Sequence, residues 1–181
     1  MSEAIEVVKE WVKSIGDDVA AIKRVVDTDK CPDDARKLAA GALNYLVSRM
    51  DLVPDWTDTI GCIDDVMVLR VCMGLASSHG LDELDGSHLV VIGRLSNDAD
   101  RIEQILGHDL ESKLRKYCQR LATEEVRGRK PETIIKDPAI RKQLYSEVDD
   151  EVRRMPAANF TDAESVQLKL RSYLHAKLKT V

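Results

Sequence analysis

Aromatic side chains are scarce in this chain, making up 4% of its 181 residues with Phe160 the single phenylalanine. A core without them has to be built from Leu, Val, Ile, Ala and Met, a composition that leans towards helices. No apolar run approaches the roughly 20 residues that a bilayer crossing requires. The longest, VMVLRVCMGLA, is interrupted by Arg70. The cysteines Cys31, Cys62, Cys72 and Cys118 form no Cys-x-x-Cys pair, and no histidine sits at metal-finger spacing from them. The first ten residues, MSEAIEVVKE, alternate charged and apolar types, unlike a secretion leader. The expectation is a cytoplasmic protein with free, mostly buried thiols. Also missing are G-x-S-x-G, H-E-x-x-H, a Walker-type loop and a glycine-rich dinucleotide turn, which removes the common sequence-readable enzyme classes.

What is present is an ordinary folded composition, 44% hydrophobic and 33% charged, long enough to bury a core without disulfides. Residues 1–181 are read as one domain. The net charge of −5 is uneven: residues 1–100 carry ten basic against nineteen acidic side chains, and residues 101–181 seventeen against thirteen. The basic excess is small. The run Lys113, Arg115, Lys116, Arg120, Arg127, Arg129 and Lys130 is interleaved with Tyr117 as its one aromatic, so it reads as a solvated helix face more readily than as a nucleic-acid surface.

Helical spacing recurs along the whole chain. Ile5, Val8 and Val12 mark a first helix ended by Gly16, and Asp17 or Asp18 opens a second through Val19, Ile22, Val25 and Val26. After the break DTDKCPDD, Pro32 suits a first helical turn, with Asp33 and Asp34 at the positive end of the dipole. Ala35, Leu38, Ala42, Leu46 and Met50 share one face, and the mid-helix Gly41 calls for close approach of a neighbour. IDDVMVLRVCMGLASS is apolar almost all round, as a helix buried on several sides would be. SHLVVIGRL is ambiguous between helix and strand and is assigned to helix. Ser96, Asn97 or Asp98 would cap the next helix, with Gly107 breaking or bending it. RGRKPE reads as a polar break. Asp137 caps a further helix with Pro138 at its first position, and Thr161 with Glu164 forms a capping-box pattern before the last. The fold class is therefore all-α, a bundle of about eight helices around an antiparallel hairpin at residues 32–78, with additional amphipathic helices at 87–181 whose stripes are core or a dimer seam.

The densest aspartate cluster lies in the turn of that hairpin, MDLVPDWTDTIGCIDD, with Asp51, Asp55, Asp58, Asp64 and Asp65. Carboxylates converging at a helix junction are what Mg²⁺, Mn²⁺ or Ca²⁺ would need, so Asp51, Asp55, Asp64 and Asp65 are the candidate metal ligands. The spacing is not that of an EF-hand. The alternative is structural: Asp51 as acceptor for turn N–H groups, Asp55 as a short cap, Asp64 and Asp65 in the first turn of the second helix. Arg70 requires a partner or an exit to solvent. In the hairpin it would sit opposite Asn44 or Tyr45. Arg49, nearer the turn, suits Asp51 or Asp55, and at least one turn aspartate is expected to pair with an arginine. His79 and His88 flank the acidic Asp82, Glu83 and Asp85, where solvated loop residues are a simpler reading than a metal site. His108 and His175 stand outside any such grouping.

Tyr45, Asp51, Leu52, Val53, Pro54, Asp55, Gly61, Asp64 and Asp65 also carry a resemblance. Residues 36–76 resemble the YkvA-like family (DUF1232), whose hallmark is a helix, a turn close to P-x-D-L-I-P-D, an apolar stretch with glycine, and an Asp-Asp pair opening a second helix. Here Ser48-Arg49-Met50 stands where family members have a proline before the first aspartate. Thr57, Asp58 and Thr59 in the turn, with Arg70 in the helix, argue against the membrane association that other members suggest. The resemblance implies a helical hairpin and no activity. A related domain beside a RING-type ubiquitin ligase module favours an accessory role. The expected function is a non-enzymatic interaction module with a protein partner or a second copy of itself, without a cofactor. Nucleic acid and membrane are disfavoured. The alternative is a divalent-metal-binding domain or metal-dependent enzyme centred on residues 51–65.

Overall fold

The computed structural model describes residues 2–48, 51–54 and 60–181. Among them the chain forms nine α-helices: α1 Ser2–Lys13, α2 Ile15–Asp27, α3 Asp33–Leu46, α4 Ile63–Ser77, α5 Gly86–Leu106, α6 His108–Leu121, α7 Pro131–Lys136, α8 Pro138–Arg154 and α9 Ala163–Lys177. No strand occurs among the described residues, which carry one isolated bridge between Val126 and Arg129.

The hairpin of α3 and α4 is the centre of the packing. Every residue from Ile63 to Met73 is buried, as expected of a helix without a polar face. Helix α5 covers one side of α4, α2 and the α7–α8 pair pack on α3, α6 lies against both hairpin helices, and α9 closes over α1 and α6. Gly41 is where α6 comes nearest: a β-carbon there would stand 2.3 Å from the backbone oxygen of Leu121. That close approach accounts for a glycine in mid-helix, where alanine is favoured by about 1 kcal/mol.

Several helix ends differ from the sequence reading. Gly16 does not end α1. The boundary falls at Ser14, and Gly16 lies in the first turn of α2. Ser96, Asn97 and Asp98 start no helix, because α5 runs unbroken from Gly86 to Leu106, and the ambiguous LVVI segment is its second turn. The true cap of α5 is Asp85, which accepts a hydrogen bond from the His88 N–H. Gly107, at φ 82°, separates α5 from α6 by a backbone conformation that favours glycine. Pro131 opens the short α7 inside the stretch read as a polar break. Asp137 caps α8 by accepting from the N–H groups of Ala139 and Ile140. Asp162, not Thr161, caps α9, accepting from Ser165 N–H. Asp and Thr both supply the required side-chain oxygen, so adjacent candidates are separated by backbone geometry alone.

Candidate functional site

Tyr45, at the end of α3, carries its hydroxyl into the turn that follows. The hydroxyl accepts a hydrogen bond from Leu52 N–H at 2.9 Å and donates to Asp64 Oδ2 at 2.5 Å. The same carboxylate oxygen accepts from Val53 N–H at 3.0 Å. Two side chains thus satisfy two consecutive backbone donors of the turn, groups that would be costly to bury unpaired. Asp64 sits in the first turn of α4, where the helix dipole favours its charge. Its side chain reaches back across the hairpin rather than capping α4, whose cap position is Cys62. Tyr117 of α6 packs edge-on against Tyr45, ring centroids 6.1 Å apart. Burial pushes the Tyr45 hydroxyl well above its ordinary range, and the neighbouring Asp64 and Asp65 push it further. It remains a phenol, a hydrogen-bond donor, at any physiological pH.

Asp51 and Asp65 are also buried in this region. Asp55, Asp58, Arg49 and Met50 lie outside the described residues. Among the described residues no group of three or more His, Cys, Asp or Glu side chains is arranged to hold a metal ion. Along the outer edge of the turn, Asp65 and Cys62 line a small cleft of about 200 Å³ facing Glu151 and Arg154 of α8. Further along α8, Glu147 is gripped by Arg129 through two bonds, at 2.8 and 2.9 Å, and by Arg127 at 3.1 Å. These bonds hold the Glu147 carboxyl below its ordinary range. Asn44 accordingly faces this loop, not Arg70: its amide donates to the Arg129 carbonyl.

Arg70 is entirely buried, and its carboxylate partners come from other helices. Its Nη2 donates to Asp18 of α2 at 3.1 Å, its Nε to Asp98 of α5 at 3.3 Å, and its Nη1 to the Val66 carbonyl of its own helix at 3.1 Å. Trp11 of α1 lies with its ring 4.5 Å from the guanidinium carbon. Asp18, likewise 0% exposed, also accepts from Ser14 and from Arg94, which is 41% exposed and links the cluster to solvent. Burial raises the Asp18 carboxyl above its ordinary range, and Arg70 and Arg94 offset only part of that rise. Burial likewise lowers the Arg70 guanidinium, which Asp18 and Asp98 counter. Arginine keeps its charge over the whole accessible range, so the group is an ion cluster joining four helices. The need for a partner was legible in the apolar surroundings of Arg70. Asp18, Arg94, Asp98 and Trp11 were not, because their spacing from residue 70 follows from tertiary packing.

Of the histidines, His79 is exposed and His88 is a half-buried member of the α5 cap, bonded to Asp85 at 2.7 Å. All four cysteines are buried, and no disulfide joins them. No helix among the described residues is long and apolar enough to cross a membrane.

No curated protein and no solved structure matches the chain. The family described as protein of unknown function (DUF1232) matches at residues 35–70, from the first turn of α3 to Arg70. Those limits enclose Tyr45, both backbone donors of the turn and Asp64. The chain therefore carries a DUF1232 segment, and that segment is the central hairpin with its latched acidic turn.

Proposed function

We propose that this chain is a non-enzymatic helical module that acts by binding a partner protein or a second copy of itself. The observation that carries this reading is the employment of Asp64. Through Oδ2 this buried carboxylate of the family segment holds Tyr45 and Val53 in place, a structural task that accounts for its burial without a reaction. The Arg70 cluster is likewise closed on itself by bonds between helices. Exposed apolar side chains lie elsewhere: Val90 on α5 is 73% exposed, and Leu168 on α9 is 67% exposed beside Tyr173 and Ala176.

Affinity purification of the tagged full chain from its own cells, followed by calorimetry with each purified candidate, tests the reading. A protein that binds at micromolar Kd or tighter, or concentration-dependent self-association in light scattering, is expected. A strictly monomeric chain that acquires hydrolytic activity with Mg²⁺ or Mn²⁺ would overturn it.

A further inference from the structure

A second cleft shares Met155 and Pro156 with the small one beside Asp65. It has a volume of about 640 Å³, within the range of ligand and peptide sites. One wall is the corner where α1 passes into α2, and the other is the irregular segment 155–161 that joins α8 to α9. Its floor is apolar, from Val12, Ile15 and Phe160, all mostly buried. The charged side chains lining it are Lys9 and Lys13, both positive in a chain of net charge −5. Lys9 lies over the Phe160 ring at 4.4 Å. Each lysine also meets a glutamate one turn back, Glu6 for the half-buried Lys9 and Glu10 for the exposed Lys13, in surface pairs worth little in water.

The connecting segment adds a second feature. Its own backbone bonds run from Met155 N–H to the Val152 carbonyl and from Asn159 N–H to the Ala157 carbonyl. Among the described residues the N–H groups of Ala157, Ala158, Phe160 and Thr161 have no protein acceptor. Main-chain donors without a protein acceptor, in a segment that lines an apolar floor, suit an extended peptide, which gains affinity from main-chain hydrogen bonds and specificity from side-chain pockets.

We propose that this cleft docks an extended segment of a partner protein in which aliphatic or aromatic residues alternate with acidic ones. The apolar residues fill the floor over Val12, Ile15 and Phe160, and the carboxylates meet Lys9 and Lys13. This rests on the reading that the chain acts by binding, and it names where and what kind of segment.

The test uses the full chain and three fluorescent dodecapeptides: one alternating Asp and Leu, one with Lys for Asp, one with Ser for Leu. The Asp-Leu peptide is expected to bind at least tenfold tighter than either counterpart. Its binding should slow hydrogen exchange at Ala157, Ala158, Phe160 and Thr161. The double variant Lys9→Glu/Lys13→Glu should lose about tenfold in affinity with unchanged helicity and should reverse the preference towards the Lys-Leu peptide, and Lys13→Glu alone, at an exposed position away from Phe160, should weaken binding with unchanged Tm. Equal affinities for all three peptides, an unaffected double variant, or protection confined to another surface would overturn the proposal. So would slowed exchange at this cleft on self-association, which would make a second copy the occupant. The broader reading would survive each of these results, because it fails only in the purification and activity measurements on the whole chain.

Discussion

Arg70 and Asp18 meet at 3.1 Å with no exposure of either side chain, across 52 residues of sequence. An ion pair at this depth contributes less than its geometry suggests, because both charges lost their water. Breaking it is another matter. Arg70→Ala strands Asp18 and Asp98 without their shared donor, and Asp18→Ala strands Arg70 beneath Trp11. Each is expected to cost about 3–5 kcal/mol in urea unfolding. The pair replaced together, Arg70→Met with Asp18→Leu, should lose far less than the sum of the single variants. Additive losses would contradict the coupling.

Gly41→Ala separates helix propensity from packing. Alanine should stabilise a helix interior by about 1 kcal/mol. Here its methyl group meets the Leu121 backbone, which cannot swing aside as a flexible side chain can. Overpacking of this kind costs about 1–3 kcal/mol. The variant should therefore have a lower Tm than the wild type, and a raised Tm would show that α6 does not approach α3 so closely.

The cap of α5 sets a pH dependence. Bonds from Ser87 and from the His88 ring and N–H lower the Asp85 carboxyl from 3.8 to about 2. A carboxyl with a depressed folded-state pKa supplies its stabilisation in full above the unfolded value and loses it as pH falls through the folded one. The contribution of this cap is therefore complete above about pH 4 to 5 and vanishes as pH falls towards 2. Carbon-detected NMR titration should place the Asp85 midpoint below those of exposed aspartates. An ordinary midpoint would remove the cap.

Much of this architecture was legible beforehand because helices leave a periodic record. Val19, Ile22, Val25 and Val26 on α2, Leu38, Ala42 and Leu46 on α3, and the unbroken apolar α4 all lie where periodicity put them. The glycine at 41 announced a close neighbour without saying which helix. Local rules failed where several residues could do the same job, as at Thr161 and Asp162, and where a short helix hid in a polar stretch, as in α7. The aspartates of the turn were visible as a cluster, and their employment was not. That Tyr45 hydroxyl and Asp64 would share the two donors Leu52 and Val53 depends on how the hairpin closes, which no spacing along the chain encodes. The Arg70 partners were hidden for the same reason.

The Tyr45 hydroxyl can be removed almost isosterically. Tyr45→Phe leaves Leu52 N–H without its acceptor and Asp64 without one donor. A loss of about 1–3 kcal/mol is expected, the range for a buried polar group left unsatisfied. Tyr117→Phe, which keeps the edge-on ring contact, should be much milder. Equal losses for the two variants would mean that ring packing, not the hydroxyl, holds the turn.

We propose that the acidic turn acts as a latch rather than as a chemical centre. The latch is tested most directly by equilibrium unfolding of the wild type and Asp64→Ala, each with and without millimolar Mg²⁺, Mn²⁺, Ca²⁺ or Zn²⁺. The latch requires Asp64→Ala to lose about 3 kcal/mol, because both the Tyr45 hydroxyl and Val53 N–H lose their acceptor. It also requires the ions to leave the wild type unchanged. A wild type stabilised by one of these ions, with that gain absent from an otherwise equally stable Asp64→Ala, would contradict it.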